Sequence, residues 1–140
     1  EIELRIRTVN TTALRRKSGW QEELLPDYPE WAIRELLLNA LMHRDYASNT
    51  PVRFYVFTGR IEIGNPGGLY GESNPENFPN VNAYRNPVIA EAMKTLGFVN
   101  RYGYGVRRAK ELLANNGNPE PRFEFSSVWV GVRVWKRVEK

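Results

Sequence analysis

The 140 residues carry 20 Lys and Arg against 16 Asp and Glu, with no cysteine. A chain of that length buries a core without staples, and the missing thiol excludes a disulfide framework, a cysteine nucleophile and a Cys-based zinc site. No apolar run approaches the roughly 20 residues of a membrane span and no signal peptide is visible, so one cytoplasmic domain is expected.

The mild positive charge is spread along the chain, apart from Arg15-Arg16-Lys17 and Arg107-Arg108 with Lys110. Such short basic runs are a weak footprint for nucleic acid. The chain opens at Glu1 without an initiator methionine, which suggests an excised piece of a longer protein.

Residues 2–8 alternate apolar and charged side chains, the period of a strand with one face on a core. Asn10-Thr11-Thr12 reads as a turn, and the stretch from Leu14 to Leu25 is ambiguous, compatible with a second short strand. Asp27-Tyr28-Pro29-Glu30 then opens a helix over about 29–43, with Asp27 as its cap and Pro29 in the first turn.

That helix is the densest stretch of the chain. Ile33, Leu36, Leu37, Ala40 and Leu41 form one apolar face, and Trp31, Leu38 and Met42 lie nearly opposite, which predicts burial on both sides. Between the two arcs Glu35, Asn39 and His43 recur four residues apart and stack into a polar stripe. A buried helix carries such a row only where something satisfies it. Spacing alone leaves two readings open: neighbouring side chains, or a ligand with a metal ion.

Residues 52–57 and 60–63 are two strands joined at Thr58-Gly59, and Asn65-Pro66-Gly67-Gly68 ends the second. The next seventeen residues, to Arg85, hold no sustained period, which predicts a functional loop, here a lid. Asn86-Pro87 starts a helix with Val88, Ile89, Ala92, Met93 and Leu96 as its expected buried stripe and Gly97 as its stop. Gly103-Tyr104-Gly105 precedes another helix, whose apolar face is Val106, Ala109, Leu112 and Leu113. Glycines ahead of a helix let backbone N–H groups approach an anion, although an ordinary turn uses the same residues. Residues 122–125 and 128–135 close the chain as strands, the last with valines on one face and Trp129, Arg133 and Trp135 on the other. Two such faces call for cover on both sides, by the Leu14–Leu25 segment or by a second chain, so a homo-oligomer is one expectation.

This order predicts an α/β (α+β) two-layer sandwich, a mostly antiparallel mixed sheet with helices on one face. The segments 28–35, 39–46, 60–69, 84–87 and 100–105 together resemble the carboxy-terminal ATPase-like domain of RecG-related helicases and transcriptional regulators. That is a branch of the GHKL superfamily, with its Bergerat fold. The resemblance implies ATP and Mg as cofactors. It aligns Glu35 with the superfamily's water-activating carboxylate and Asn39 with the asparagine that binds the magnesium. Asn65, Gly67 and Gly68 stand at the turn under the adenine, Gly103 and Gly105 in the glycine box of the lid, and His43, Asp45 and Arg85 complete the implied nucleotide set.

Two departures weaken the implied chemistry. Asn65 replaces an aspartate, so a charge-assisted bond becomes a neutral one of about half the strength. The second glycine box is short as well. No Gly-x4-Gly-Lys-Ser/Thr loop is present, so the domain is no helicase motor by itself. In relatives such a domain follows an amino-terminal DNA-binding domain, which implies DNA as a partner through a missing segment. Two functions are therefore expected: a nucleotide-binding regulatory domain with slow or absent hydrolysis, or an oligomerisation or interaction module that has lost nucleotide. A metal site built from His43 and Asp45 is the poorer third, because two ligands do not close a site.

Overall fold

The computed structural model describes residues 12–18, 21–69, 74–78, 85–97 and 105–138. The strand expected at 2–8, most of the lid and Gly103 lie outside these residues. The segment left ambiguous in sequence forms an antiparallel hairpin of β1 (Thr12–Ser18) and β2 (Gln21–Pro26). Next come α1 (Glu30–His43), β3 (Arg53–Val56), β4 (Arg60–Pro66), α2 (Pro87–Thr95), α3 (Gly105–Asn116), β5 (Arg122–Phe125) and β6 (Trp129–Trp135).

The second sheet runs β3-β4-β6-β5 and every neighbouring pair is antiparallel. The mostly antiparallel sheet expected from the sequence is thus present, and all of its described strands pair antiparallel. Its inner face presents Ile61 and Ile63 of β4 and Val132 and Val134 of β6, which pack on Ile33, Leu36, Leu37 and Ala40 of α1 and on Ala109 and Leu113 of α3. Each buried Val, Leu or Ile among these contributes up to about 1.5–3 kcal/mol of hydrophobic stabilisation, and the two alanines less. Helices thus cover one face of the sheet, as the two-layer expectation required.

Three local expectations need correction. Asp27 does not cap α1, whose N-cap position is Pro29 with no side-chain bond. Its carbonyl instead accepts from Asn118 Nδ2 at 2.7 Å and from the Arg137 N–H at 3.0 Å, so tertiary partners fix the chain entering the helix.

On the far side of α1, Trp31 is exposed rather than buried, with the guanidinium groups of Arg34 and Arg108 over its ring at 4.6 and 5.5 Å. Leu38 and Met42 do find apolar cover, from Ala90 and Met93 of α2. In α2 the expected stripe is mostly open: Ala90 is the buried residue, while Val88 and Leu96 are 80% and 71% exposed. A helix of nine residues meets α1 along a line narrower than its own apolar arc.

Candidate functional site

The polar stripe of α1 meets three separate partners along its length. At the N-terminal end Glu35 is buried, and its Oε2 lies 2.9 Å from where a Cβ would stand on Gly105, the first residue of α3. A carboxylate at that place sits in the positive field of the α3 N-terminus. Glycine at 105 is thus what lets the carboxylate come so close.

One turn on, Asn39 shares a small cavity with the buried Asn65 of β4, walled by Leu36, Ala40, Phe123 and Val130. Its volume is about 10 Å³, near the minimum for one water molecule. The two asparagines line one space from opposite layers.

At the C-terminal end His43, Asp45, Gly67, Gly68 and Arg85 gather. The Asp45 N–H donates to the Pro66 carbonyl at 2.9 Å, which ties the loop after α1 to the end of β4. Arg85 Nη1 stands 4.0 Å from Asp45 Oδ2, and its Nη2 donates to the Gly68 carbonyl at 3.3 Å. Burial, and then the Arg85 charge, lower the His43 pKa from its usual 6.5. His43 is accordingly neutral near pH 7.

Gly67 and Gly68 are explained by crowding. Gly67 has φ +93° and a Cβ there would stand 2.8 Å from the Cβ of Asp45, while its N–H donates to the Val128 carbonyl at 2.7 Å. A Cβ on Gly68 would meet the Ser126 and Ser127 carbonyl oxygens at 2.6 and 2.8 Å. The turn is therefore gripped by the α1–β3 loop on one side and the β5–β6 turn on the other.

The structure thus brings Glu35, Asn39, His43, Asp45, Asn65, Gly67, Gly68, Arg85 and Gly105 into one band along α1. Among the described residues no three His, Cys, Asp or Glu side chains gather as a metal set. The donor types nevertheless suit Mg-ATP, because magnesium keeps several waters and takes its remaining ligands from phosphates and one or two side-chain oxygens. Space is the constraint, since the cavity between Asn39 and Asn65 would have to widen for a base.

Two structural residues escaped sequence reasoning. Asn86 Nδ2 donates to the Met42 and Arg44 carbonyls at 2.9 and 2.6 Å, closing the last turn of α1 from the start of α2. Asn118, buried, donates through Nδ2 to the Asp27 and Trp135 carbonyls and accepts from Asn116 Nδ2 at 2.7 Å. An Asn before Pro at a helix start was the available signal for the first; an Asn after Gly117 gave none for the second.

Comparison with known proteins adds the family. The model of the family described as "Putative ATP-dependent DNA helicase recG C-terminal" matches residues 49–134, more than half of the chain. The chain belongs to this family. The match includes Asn65–Gly68, Arg85 and Gly105 and begins after α1, so the stripe itself lies outside it.

Among solved structures, the DIP2311 protein from Corynebacterium diphtheriae is similar at a TM-score of 0.87 and 27% identity, over 97% of this chain. That likeness therefore extends across α1. The chain spans 28% of the length of that protein. No curated protein matches. No helix among the described residues is long and apolar enough to cross a membrane.

Proposed function

We propose that this domain binds a nucleotide with magnesium in the band along α1 and serves as the regulatory domain of a larger, cytoplasmic DNA-binding protein, with hydrolysis slow or absent. The observation that carries this is the pair Asn39 and Asn65, two asparagines that line one cavity from the helical layer and the sheet. Asn39 would supply an oxygen to the magnesium, and Asn65 would hydrogen-bond the base. Glu35 lies one turn from Asn39 and is the side chain fit to orient a water. Membership of an ATPase-like family supports the same choice of ligand.

Titration with Mg-ATP followed by thermal unfolding tests it. At 100 times the dissociation constant, stability should rise by about 2.7 kcal/mol, which is several degrees in midpoint for a domain this size. The second reading is an interaction module without nucleotide. It is favoured by the cavity of about 10 Å³ and by the protein contacts that fill both sides of Gly67-Gly68. No shift with millimolar ATP, ADP or GTP would decide for it.

A further inference from the structure

The face of the four-stranded sheet turned away from the helices is built as a platform. Register pairs Gly64 with Gly131 and Pro66 with Trp129. The Trp129 ring lies flat across both glycines. A Cβ on Gly131 would stand 2.1 Å from a ring carbon, and one on Gly64 3.1 Å from another. Any side chain at 131 would lift the indole off the sheet. With the inner surface of its ring on backbone, Trp129 remains 40% exposed, and Tyr55 on β3 is 49% exposed beside the same groove of about 540 Å³.

Charge on this face is uneven. Arg53, Arg60, Arg122 and Arg133 stand against Glu62 and Glu124, so four cations face two carboxylates. Both carboxylates are already engaged. Glu62 Oε1 accepts from Arg60 at 3.0 Å and Arg133 at 2.9 Å, and Glu124 pairs with Arg133 at 3.1 Å. Among the described residues Arg53 and Arg122 make no ion pair, and they stand on the two edge strands of the sheet. An exposed indole in one groove with the uncompensated Arg53, and with Arg122 on the far edge strand of the same face, suits a ligand with a flat π-face next to negative charge.

We infer that this outer face is a binding site for single-stranded nucleic acid, with a base stacked on Trp129 and the backbone phosphates drawn to Arg53 and Arg122. Stacking on an aromatic platform tolerates any base, and the arginines add the salt-dependent part of the affinity. Double-stranded nucleic acid offers its bases only edge-on, so it does not satisfy the indole. The Trp129 face and the band along α1 lie on opposite faces of the sheet and adjoin at the end of β4, where Asn65 borders both.

The test is fluorescence anisotropy of a short labelled oligothymidylate titrated with the whole chain at low salt, beside a duplex of equal length and free thymidylate. The single strand should bind best, and Trp129→Ala should weaken it by about 5- to 150-fold, the range for one lost base stack. Trp129→Phe should restore much of that loss. Arg53→Gln should weaken binding and lower the salt slope by about one. If Trp129→Ala does not fold, the Arg53→Gln and Arg122→Gln slopes decide alone. Excess Mg-ATP should not displace the oligonucleotide. No binding of the single strand, equal binding of duplex or free thymidylate, unchanged affinity in the arginine variants, or displacement by Mg-ATP would each overturn the proposal.

Discussion

The Glu35 carboxylate rests against Gly105, its Oε2 2.9 Å from the place a Cβ would occupy, so a helix-borne acid and a helix-opening glycine fit as one unit. Gly105→Ala should therefore displace the Glu35 carboxylate at a cost of about 1 kcal/mol or less, because the atom it meets is the end of a flexible side chain. Urea unfolding measures it. A clearly larger loss would mean that Glu35 cannot swing clear. Glu35→Gln keeps the shape and removes the favourable interaction with the α3 dipole, at a cost of about 0.3–2 kcal/mol.

Asn65→Asp separates the two functional readings. A buried carboxylate costs stability in the ligand-free domain, so the midpoint without nucleotide should fall. If a base is held there, the charge-assisted bond should enlarge the stabilisation produced by Mg-ATP. A lower midpoint with no nucleotide response in either protein would favour the interaction module.

Gly68→Ala should be worse than Gly67→Ala in spite of the positive φ at Gly67. The Cβ at 68 meets two backbone carbonyl oxygens of the β5–β6 turn at 2.6 and 2.8 Å, whereas the Cβ at 67 meets only side-chain atoms, the Asp45 Cβ at 2.8 Å and Arg85 Nε and Cζ at 3.3 and 3.4 Å. Backbone yields less than a side chain. Both losses should exceed about 1 kcal/mol in denaturant unfolding; equal, negligible losses would mean that the turn is loosely held.

Asn118→Ala removes donors from the Asp27 and Trp135 carbonyls and the acceptor for Asn116. The Asp27 carbonyl keeps the Arg137 N–H and the Asn116 amide keeps the Pro26 carbonyl, so the loss should be about 1–3 kcal/mol, mainly for the Trp135 carbonyl left short of its donor. Thermal unfolding would reveal it as one of the larger single-site losses in the chain.

Protonation of His43 should oppose folding. Its folded pKa is lowered by burial and then by Arg85, so the unfolded chain binds the proton more tightly. The stability from keeping His43 neutral is complete above the unfolded value of 6.5 and is lost as pH falls below it. His43→Gln should flatten that part of the stability–pH curve. An identical slope in the variant would remove His43 as the cause.

Much of the fold was determined by sequence alone, because periodicity records which side a residue turns. The spacing of Ile33, Leu36, Leu37 and Ala40 and the alternation of Val130, Val132 and Val134 are sufficient to place α1 and β6 with their buried faces. Chemical type along α1 also singled out Glu35, Asn39 and His43 before any partner was known. Tertiary structure decided what those residues meet, since pairing depends on segments far apart in the chain. Only the packed layers bring Asn65 to Asn39, Gly105 to Glu35 and Arg85 to Asp45. They also decide the fate of apolar surface. Val88 and Leu96 have the pattern of buried residues and stand in the open, because a contact line has a width that sequence does not state. Trp129 lies flat because two glycines on different strands fall side by side, a coincidence of register that no single stretch of the chain contains.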